Sequence, residues 1–462
     1  MDASTPSWLF ARLTAHGTKP FLHAAAGSAT YADLVAAVAT QQAALAAHGV
    51  APGGVVLLAG DYSLPSVALL LALAENRNIV VPAATVVEAE LAQRAEIAGA
   101  AHLARATGAG FTWSRPAAAP AAEPHPFFAQ LAAAGHAGLV LFSSGSTGRP
   151  KAMVHDLDRL LGSYEDRRVR SLTLLVFLLF DHIGGLNTLF TALATGSALV
   201  VPAQREPDHV CALVARHRVT ILPASPTFLN LLLLSEAWTH HDLSSLRIIT
   251  YGTEPMPESL LARLRTAFPA VKFLQTFGTS ETGISHTTSK SSDSTLLKLE
   301  DPNLEHRIVD GELWLRSRTQ ILGYLNHAMS AFTADGWFRT GDLVEEAGDG
   351  FLRLLGRRND VINVGGEKVL PGEVESVLLA MPEIADCLVY GEKSPLTGQI
   401  VCAQVVPAPG ADAAAMRGLV RAFCRPRLAA YKVPVKVQVV TQTTCGDRFK
   451  KMRQPPVPPA AP

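Results

Sequence analysis

The chain has 462 residues, of which 48% are hydrophobic and 17% are charged. A chain of this length is usually too long for one hydrophobic core, so we predict two or three domains with large cores. Lysine plus arginine and aspartate plus glutamate both number 40, which gives a formal net charge of zero. A neutral chain lacks the basic footprint of a protein that binds nucleic acid or an anionic membrane.

The five cysteines are scattered, and no pair has the spacing of a metal site: Cys211, Cys387, Cys402, Cys424 and Cys445. This pattern predicts reduced thiols and a cytoplasmic location. The N-terminus lacks the basic and then apolar pattern of a signal peptide. The longest apolar run, residues 172–180, is too short to cross a bilayer, so we expect no membrane segment.

The first predicted elements alternate between strands and helices. Thr30 is a candidate N-cap of an alanine-rich helix that ends at Gly49. Residues 55–58 and 79–82 are predicted strands, and residues 66–75 are a predicted buried helix. This alternation indicates an α/β sheet covered by helices. Residues 104–126 are rich in alanine, glycine and proline, and we expect a surface connection there.

A glycine-rich stretch follows the apolar run 139–142, which is a predicted buried strand. The stretch reads Ser143, Ser144, Gly145, Ser146, Thr147, Gly148, Arg149, Pro150 and Lys151. Small residues let backbone N–H groups approach an anion, hydroxyls add donors, and a lysine adds a point charge. The stretch therefore predicts a polyphosphate cradle, with a flexible Ser/Gly turn as the alternative. It is not a Walker loop, because Arg149 and Pro150 separate the last glycine from the lysine.

This stretch resembles the phosphate loop of the adenylate-forming superfamily, which includes acyl-CoA synthetases, peptide-synthetase adenylation domains and firefly luciferase. Members read S/T-S/T-G-S-T-G-x-P-K-G, and this chain departs from that pattern only at Ala152. His155 stands where members often keep a histidine. The resemblance implies that Thr147 and Lys151 act on the phosphates and that Ser143, Ser144, Gly145, Ser146 and Gly148 bind the nucleotide.

Residues 171–180 are a predicted strand that leads into Asp181 and His182. Members of the superfamily often read F-H-x-G-G-L here, which puts His182 beside the acyl pocket. A helix start with Asp181 as N-cap is the alternative, and both can hold together. Asp181 could also pair with the amine of an amino acid, as an aspartate does in peptide-synthetase domains.

The alternation resumes over residues 187–250. We predict strands at residues 198–201, 219–222 and 247–250, and helices at residues 207–217 and 226–236. Ligands in such sheets bind beyond the carboxyl ends of strands. The segment that follows the last of these strands resembles the adenine-contacting segment of the superfamily, with Tyr251, Gly252 and Thr253 as contacts and Gly252 also beside the acyl pocket.

Residues 273–283 contain a second motif, which resembles the Y-G-x-T-E of the superfamily. The resemblance implies nucleotide contacts from Phe277, Gly278, Thr279 and Ser280 and a magnesium ligand at Glu281. Phenylalanine replaces the usual tyrosine and serine the usual threonine, which keeps the apolar face and the hydroxyl donor. A carboxylate is a sensible hard ligand for Mg²⁺ beside phosphates. The alternative is a solvated loop glutamate.

Residues 335–342 and 351–362 resemble the G-W-x-x-T-G-D and G-R-x-x-D-x-I motifs of the superfamily. They imply that Asp342 accepts both ribose hydroxyls, since a carboxylate has two oxygens, and that Arg357 also reaches the ribose. The domain hinge falls at Asn359, a residue type that tolerates unusual backbone angles. Residues 365–375 match an acyl-CoA ligase pattern in which Gly365 and Gly366 line the thioester-forming site after the small domain turns.

The C-terminal tail departs most from the superfamily. Relatives end in G-K-x-x-R, whose lysine contacts the carboxylate and the α-phosphate, but Asp447 follows Gly446 here. Lys450 with Arg453 fits K-x-x-R, so Lys450 is the predicted adenylation lysine, with Lys451 as the second choice. The alternative is that the lysine function is lost. Residues 454–462, almost all proline and alanine, are predicted to be disordered.

The resemblance covers nearly the whole chain and implies an α/β fold. We expect a large N-terminal AMP-binding domain of helix-covered mixed sheets (residues 1–358), a small mobile α+β lid (359–453) and a tail (454–462). The expected substrates are ATP with Mg²⁺ and a small carboxylic acid, which is activated as acyl-AMP and passed to the thiol of CoA or of a carrier protein's phosphopantetheine. We expect a monomer or homodimer with no nucleic-acid or membrane partner.

Three alternatives remain for the function. The protein could be a stand-alone amino-acid or aryl-acid adenylation enzyme that feeds a carrier protein. It could pass acyl-AMP to an amine, or it could bind nucleotide without catalysis, as Ala152 and Asp447 would allow. Fatty, aryl and amino acids all remain open, and the register at His182 favours an aryl or medium-chain acid.

Overall fold

A computed structural model describes residues 7–108, 110–117, 123–143, 150–443, 451 and 453. The first part of the chain contains α1 (Ser7–His16), β1 (Pro20–Ala24), β2 (Gly27–Thr30), α2 (Tyr31–Ala47), β3 (Val55–Ala59), α3 (Leu64–Glu75), β4 (Ile79–Ala83), α4 (Glu88–Ala98), β5 (His102–Ala106), β6 (Phe111–Ser114), α5 (Pro126–Ala134), β7 (Gly138–Ser143), β8 (Lys151–Asp156) and α6 (Leu157–Gly162).

The chain continues with β9 (Thr173–Leu175), α7 (Ile183–Thr195), β10 (Ala198–Val200), α8 (Pro207–His217), β11 (Ile221–Ala224), α9 (Pro226–Leu234), β12 (Ile248–Tyr251), α10 (Glu258–Ala267) and β13 (Lys272–Gln275). A strand-rich region follows, with β14 (Phe277–Thr279), β15 (Gly283–Ser285), β16 (Thr287–Ser289), β17 (Leu296–Leu299), β18 (Leu304–Val309), β19 (Glu312–Ser317), β20 (Gly323–Tyr324), β21 (Phe338–Glu346) and β22 (Leu352–Arg357).

The last part of the chain forms β23 (Ile362–Val364), β24 (Glu367–Val369), α11 (Pro371–Leu378), β25 (Ile384–Ser394), β26 (Gly398–Pro407), α12 (Met416–Cys424) and β27 (Lys436–Val439). A short 3-10 helix, Arg358–Asp360, connects β22 to this part. Its strands form one sheet with its own hydrophobic cluster, separate from the clusters of the preceding region.

Two seven-stranded sheets build the large domain. One has the order β13-β12-β11-β9-β10-β1-β2, and the other has the order β20-β8-β7-β4-β3-β5-β6. The largest hydrophobic cluster combines residues of both sheets with α2, α3 and α7. Since α3 is apolar on every side and buries residues 66–74, it lies in the middle of this core. A six-stranded antiparallel sheet, β16-β17-β22-β21-β19-β18, completes the domain.

The predicted fold class, a large α/β domain followed by a small α+β domain, is confirmed by this arrangement. The helix cap at Thr30 is also confirmed, since its side chain accepts a hydrogen bond from the backbone N–H of Asp33 and the Asp33 carboxylate accepts one from the backbone of Thr30. Within the described residues, no helix is both long and apolar enough to cross a membrane.

Two predictions about elements were wrong. The strand over residues 171–180 is only β9, because its pairing with β10 ends at Leu175 and the chain then turns towards α7. The surface connection over residues 104–126 contains the end of β5 and all of β6, which form an antiparallel edge pair. Strand β6 is an edge strand of four residues with no fully buried side chain, so it leaves no continuous apolar run in the sequence.

His155 lies on β8 with its side chain fully buried. Within the described part of the chain, neither ring nitrogen has a hydrogen-bond partner of good geometry. Burial lowers the pKa of His155 to about 4, and the nearby backbone of Ser280 and Thr319 offsets this only in part. The imidazole is therefore neutral in the folded protein at pH values where an unfolded chain already binds a proton.

This difference in proton binding predicts a loss of stability in acid. Between the ordinary histidine pKa of about 6.5 and the folded value of about 4, protonation favours the unfolded chain. Between pH 7.5 and pH 5, the free energy of unfolding should fall by about 2 kcal/mol less in His155→Gln than in the wild type. Denaturant titrations at both pH values measure this. The exposed His240→Gln variant should keep the wild-type dependence, and an unchanged dependence in His155→Gln would refute the explanation.

Candidate active site

The two described ends of the glycine-rich stretch face each other across an antiparallel pair. Strands β7 and β8 are in a register that places Ser143 opposite Lys151. Strand β7 runs parallel to β4, so the stretch follows the carboxyl end of a central strand, where ligands of such sheets bind. The remaining predicted phosphate contacts, Ser144, Gly145, Ser146, Thr147 and Gly148, lie outside the described residues.

A cleft lies where the large domain meets the small one. It is lined by Gly252, Thr253, Glu254, Pro255, Thr276, Phe277, Gly278, Asp342, Leu354, Leu355, Gly356, Arg357, Asp360, Pro371, Gly372, Lys451 and Arg453. Six of the predicted nucleotide contacts are among them: Gly252, Thr253, Phe277, Gly278, Asp342 and Arg357. These residues come from four separate loops and strands, so the fold brings residues of motifs that are distant in the sequence to one cleft.

Asp342 and Arg357 face each other across β21 and β22. The Arg357 Nε lies 3.2 Å from the Asp342 Oδ1. Asp342 is the more enclosed partner, with 16% of its side chain exposed against 51% for Arg357. The ion pair therefore fixes a carboxylate on the cleft wall and leaves about half of the arginine side chain exposed.

The segment after β12 comes close to the neighbouring strand. A Cβ atom on Gly252 would lie 2.9 Å from the carbonyl oxygen of Thr276, so only glycine fits. Thr253, which follows, has a φ of +71°. A β-branched residue rarely adopts this left-handed conformation, and such strain concentrates at functional sites.

Two predicted nucleotide contacts do not present their side chains to the cleft. Tyr251 packs into the hydrophobic core with 1% exposure, because it occupies an inward-facing position of β12. Thr279 is also buried, and its hydroxyl lies 2.9 Å from that of Thr282. Ser280, which is half-buried, has its backbone close to the ring of His155.

Glu281, the predicted magnesium ligand, is half-buried and accepts a 3.1 Å hydrogen bond from the hydroxyl of Tyr324. Within the described ranges, no group of three or more histidine, cysteine or acidic side chains could hold a metal by itself. Mg²⁺ is usually held by one or two carboxylates together with substrate phosphates. A single glutamate near the phosphate loop fits that mode.

His182, and not Asp181, caps helix α7, because its Nδ1 accepts a 3.0 Å hydrogen bond from the backbone N–H of Gly184. The alternative with Asp181 as N-cap was therefore wrong. Asp181 is 4% exposed and forms an ion pair of 2.8 Å with Arg94 of α4. Arg94 also lies 5.5 Å from the ring centroid of Phe142, the residue before Ser143. The charge of Asp181 is thus already compensated by the protein.

The tail enters the cleft through Lys451 and Arg453, while Lys450 lies outside the described residues. The Lys451 Nζ lies 3.2 Å from the Asp386 Oδ1 and donates a hydrogen bond to the carbonyl oxygen of Cys387. Arg453 pairs with both oxygens of Glu375. Burial lowers the pKa of Lys451, but the charges of Glu375 and Asp386 outweigh it and raise the pKa overall.

The predicted hinge and thiol-site residues lie at the start of the small domain. Asn359 is the middle residue of the 3-10 helix that joins β22 to β23. Gly365 and Gly366 form the exposed turn between β23 and β24, with φ values of +61° and +95°. They do not line the cleft in this arrangement of the domains.

Residues that the sequence motifs missed fall into two groups. Glu254 and Thr276 stand directly beside predicted contacts, so their place in the cleft could have been anticipated. Arg94 and Asp386 are ion-pair partners that come from remote segments, and no local pattern marks them.

Comparison with known proteins decides the family. A family model described as AMP-binding enzyme matches residues 9–325, and one described as AMP-binding enzyme C-terminal domain matches residues 373–445. The chain belongs to the AMP-binding enzyme family. The two matches follow each other along the chain, with residues 326–372 between them.

Among similar members of the AMP-binding enzyme family, the indoleacetate–CoA ligase of Aromatoleum aromaticum is 31% identical over 65% of this chain and 62% of its own length. The anthranilate CoA ligase AuaEII, solved with anthranoyl-AMP, has a TM-score of 0.81 at 21% identity, with 98% of this chain and 97% of that chain covered. The amide bond synthetase McbA from Marinactinospora thermotolerans has a TM-score of 0.73 at 26% identity, with 94% and 96% covered.

The sequence matches span only part of the curated relatives, for example 62% of the indoleacetate–CoA ligase and 51% of the pyochelin synthase PchD of Pseudomonas aeruginosa. The likeness to AuaEII, at 21% identity, shows the fold. Family membership and fold are therefore established for this chain.

The strained Thr253 supplies a prediction about the cleft. Thr253→Gly removes a strain of about 1–3 kcal/mol, which offsets the roughly 1 kcal/mol entropic cost of a glycine. We expect the Tm to be at least as high as in the wild type, while the affinity for ATP falls because the segment is no longer held in place. Differential scanning fluorimetry and calorimetric titration measure the two effects. Thr253→Val keeps the β-branch and serves as control, and a clearly lower Tm in Thr253→Gly would contradict the explanation.

Proposed function

We propose that this protein joins a carboxylic acid to the adenylate of ATP and then transfers the acyl group to a thiol. A carboxylate oxygen attacks the α-phosphorus, the bond to pyrophosphate breaks, and acyl-AMP forms. A thiol sulfur then attacks the acyl carbon, AMP leaves, and the thiol loses its proton. The observation that carries this proposal is the single cleft that unites the Asp342–Arg357 pair, the strained Thr253 and the charged tail of the small domain.

The nucleotide would lie along the cleft wall. Asp342 and Arg357 suit the ribose, because a carboxylate accepts two hydroxyl protons at once. Gly252, Thr253 and the apolar Phe277 suit the flat face of the adenine. These contacts mainly position the reactants, and positioning accounts for much of the rate enhancement in phosphoryl transfer.

Two anions must meet in the first step, so cations must offset their repulsion. Mg²⁺, when bound with ATP, would neutralise phosphate charge beside Glu281. Lys151 supplies a second cation at the end of the phosphate loop, where its Nζ lies 5.8 Å from the ring centroid of Tyr324. Glu281 is held by the Tyr324 hydroxyl, and charge-stabilising groups that are oriented before the substrate binds are the most effective.

The adenylation lysine in this proposal is Lys450. The neighbouring Lys451 is engaged by Asp386 and by the carbonyl of Cys387, and its side chain is 8% exposed. Its role is to anchor the tail to the small domain, together with Arg453 on Glu375. A cation that is already paired in this way offers less charge to a substrate.

The acid is proposed to be an aryl or medium-chain acid without an α-amino group. Asp181 could have paired with an ammonium, but Arg94 already compensates its charge in a buried site. Burying an ammonium without a net negative partner costs several kcal/mol. The name of the indoleacetate–CoA ligase points in the same direction, since that relative takes an aromatic acid without an amino group.

The acceptor is proposed to be the thiol of CoA or of a carrier protein's phosphopantetheine. The exposed Gly365–Gly366 turn would have to reach the cleft for this step, so the small domain would turn about Asn359. A second candidate is transfer to an amine, which the 26% identity to an amide bond synthetase favours. Ala152 gives little support to an inert nucleotide-binding role, because its methyl group is buried in the core.

The proposal is tested by acid-dependent exchange of pyrophosphate into ATP with a panel of carboxylic acids. We expect phenylpropanoate to support exchange at least about 10-fold better than phenylalanine, since the two differ by an ammonium whose charge Asp181 does not neutralise while it is paired with Arg94. Preference for phenylalanine would refute the assignment of the acid. Absence of exchange with every acid would refute the proposed activity.

The acceptor is then identified by adding CoA, a carrier protein or hydroxylamine, each separately, to the enzyme that holds acyl-AMP. Consumption of acyl-AMP with CoA or the carrier protein supports transfer to a thiol. Consumption with hydroxylamine alone would favour the amine.

The two tail lysines are separated by matched substitutions. We expect Lys450→Ala to lower the exchange rate about 10²–10³-fold with little change in Tm, because it removes one preorganised cation. Lys451→Ala should instead lower the unfolding free energy by about 3–5 kcal/mol, because the buried Asp386 loses its cationic partner and keeps only the neutral donors Thr443 and Asn230. Exchange kinetics and thermal melts of both variants measure this. Near-normal exchange in Lys450→Ala would show that the adenylation lysine is misassigned.

A further inference from the structure

A short strand holds the chain where it leaves the glycine-rich stretch. Strand β20 pairs with β8 so that Tyr324 lies opposite Met153 and Gly323 opposite Val154. The backbone N–H groups of Leu322 and Leu325 donate to Val154 and Ala152, at 2.8 Å and 2.9 Å. The segment 322–326 is therefore fixed to the first residues after Lys151.

Asn326, the last residue of this segment, makes two hydrogen bonds to the backbone on either side of Lys151. Its Nδ2 donates to the carbonyl oxygen of Pro150 at 2.9 Å, and its Oδ1 accepts from the backbone N–H of Ala152 at 3.0 Å. A side-chain amide that uses both ends in this way substitutes for a neighbouring strand. It fixes the backbone from which the Lys151 side chain extends.

Tyr324 connects the same segment to the predicted magnesium ligand. Its hydroxyl donates to the Glu281 Oε1 at 3.1 Å, and its ring lies 5.8 Å from the Lys151 Nζ. The side chain is 6% exposed. A tyrosine hydroxyl is protonated at neutral pH, so it is the donor in this contact and the carboxylate is the acceptor.

We propose that Tyr324 and Asn326 are positioning residues that set the distance between the phosphate-binding Lys151 and the metal-binding Glu281. This inference rests on the proposed function, because it gives these two groups a shared substrate in Mg·ATP. Lys151 and Glu281 are far apart in the chain, and the segment 322–326 contacts both. A displacement of 1 Å between such groups can cost a large part of the rate.

If the role of Tyr324 were purely structural, replacing it by phenylalanine would have little effect on Mg²⁺ or ATP binding. The ring packs against the side chains of Phe332 and His327, and phenylalanine would keep these contacts. The hydroxyl adds only the hydrogen bond to Glu281 among the contacts of the described residues. Partners that orient a metal ligand in this way typically change metal affinity or activity about 10–100-fold when they are removed.

The test uses Tyr324→Phe and, as a matched control, Tyr164→Phe. Tyr164 is also buried and donates one hydrogen bond, of 2.8 Å, to the Asn187 Oδ1. We expect Tyr324→Phe to raise the Mg²⁺ concentration needed for half-maximal binding of a non-hydrolysable ATP analogue about 10-fold, as measured by calorimetry. Tyr164→Phe should leave it unchanged. The same shift should appear in the Mg²⁺ dependence of exchange, with the KM for the acid unaltered.

Asn326→Ala provides a second measurement, because its side chain is exposed and the variant should fold. We expect it to raise the KM for ATP about 10-fold or more, since it loosens the backbone at Lys151, without changing the KM for the acid. Normal Mg²⁺ dependence in Tyr324→Phe together with a normal KM for ATP in Asn326→Ala would overturn the inference.

The two possible failures are distinguishable. If the wild type binds Mg·ATP but no acid supports exchange, the proposed function fails, and the binding titrations still decide the roles of Tyr324 and Asn326. If the wild type exchanges normally and the variants do too, only the inference fails. A wild type that does not bind Mg·ATP would overturn both.

Discussion

The hydrogen-bonded trio of strands β7, β8 and β20 is the constraint on which the site depends. Strands β7 and β8 place Ser143 opposite Lys151, so the two ends of the glycine-rich stretch are held together at the carboxyl end of β7. Strand β20 then connects this hairpin to Glu281 through the Tyr324 hydroxyl. Charge-stabilising groups are most effective when the fold holds them in place before the substrate arrives.

A second constraint acts at the domain boundary. Lys451 and Arg453 pair with Asp386 and Glu375 of the small domain, and the backbone N–H of Lys451 lies 3.4 Å from the Glu254 carboxylate of the large one. Both ion pairs lie within residues 359–453 and would move with the small domain, whereas the contact with Glu254 depends on this arrangement of the domains. The cleft wall is therefore made by both domains at once, and a rotation of the small domain would change its lining.

Much of the fold could be predicted from the sequence because buried parallel strands leave continuous apolar runs. Strands β3, β4 and β7 and helix α3, which is buried over residues 66–74, were found in this way. Strand β9 was predicted too long, because the apolar run continues beyond the end of its pairing at Leu175, and the short edge strand β6 leaves no continuous apolar run.

The site was predictable where its residues lie within motifs at strand ends. Gly252, Phe277, Asp342 and Arg357 lie on one cleft, although their roles in nucleotide binding stay a prediction. The ion pair of Arg94 with Asp181 joins residues that are 87 positions apart, and no local sequence pattern predicts such a contact. The side chain of Tyr251 turns inward, which only the alternation of β12 decides.

The most direct test of the central claim follows an oxygen atom. The protein would be incubated with ATP, Mg²⁺, CoA and phenylpropanoate labelled with ¹⁸O in its carboxylate, and the released nucleotide would be analysed by mass spectrometry. Attack of the carboxylate on the α-phosphorus predicts AMP that carries one ¹⁸O atom, formed together with pyrophosphate. Unlabelled AMP, or ADP with phosphate as the products, would contradict the account.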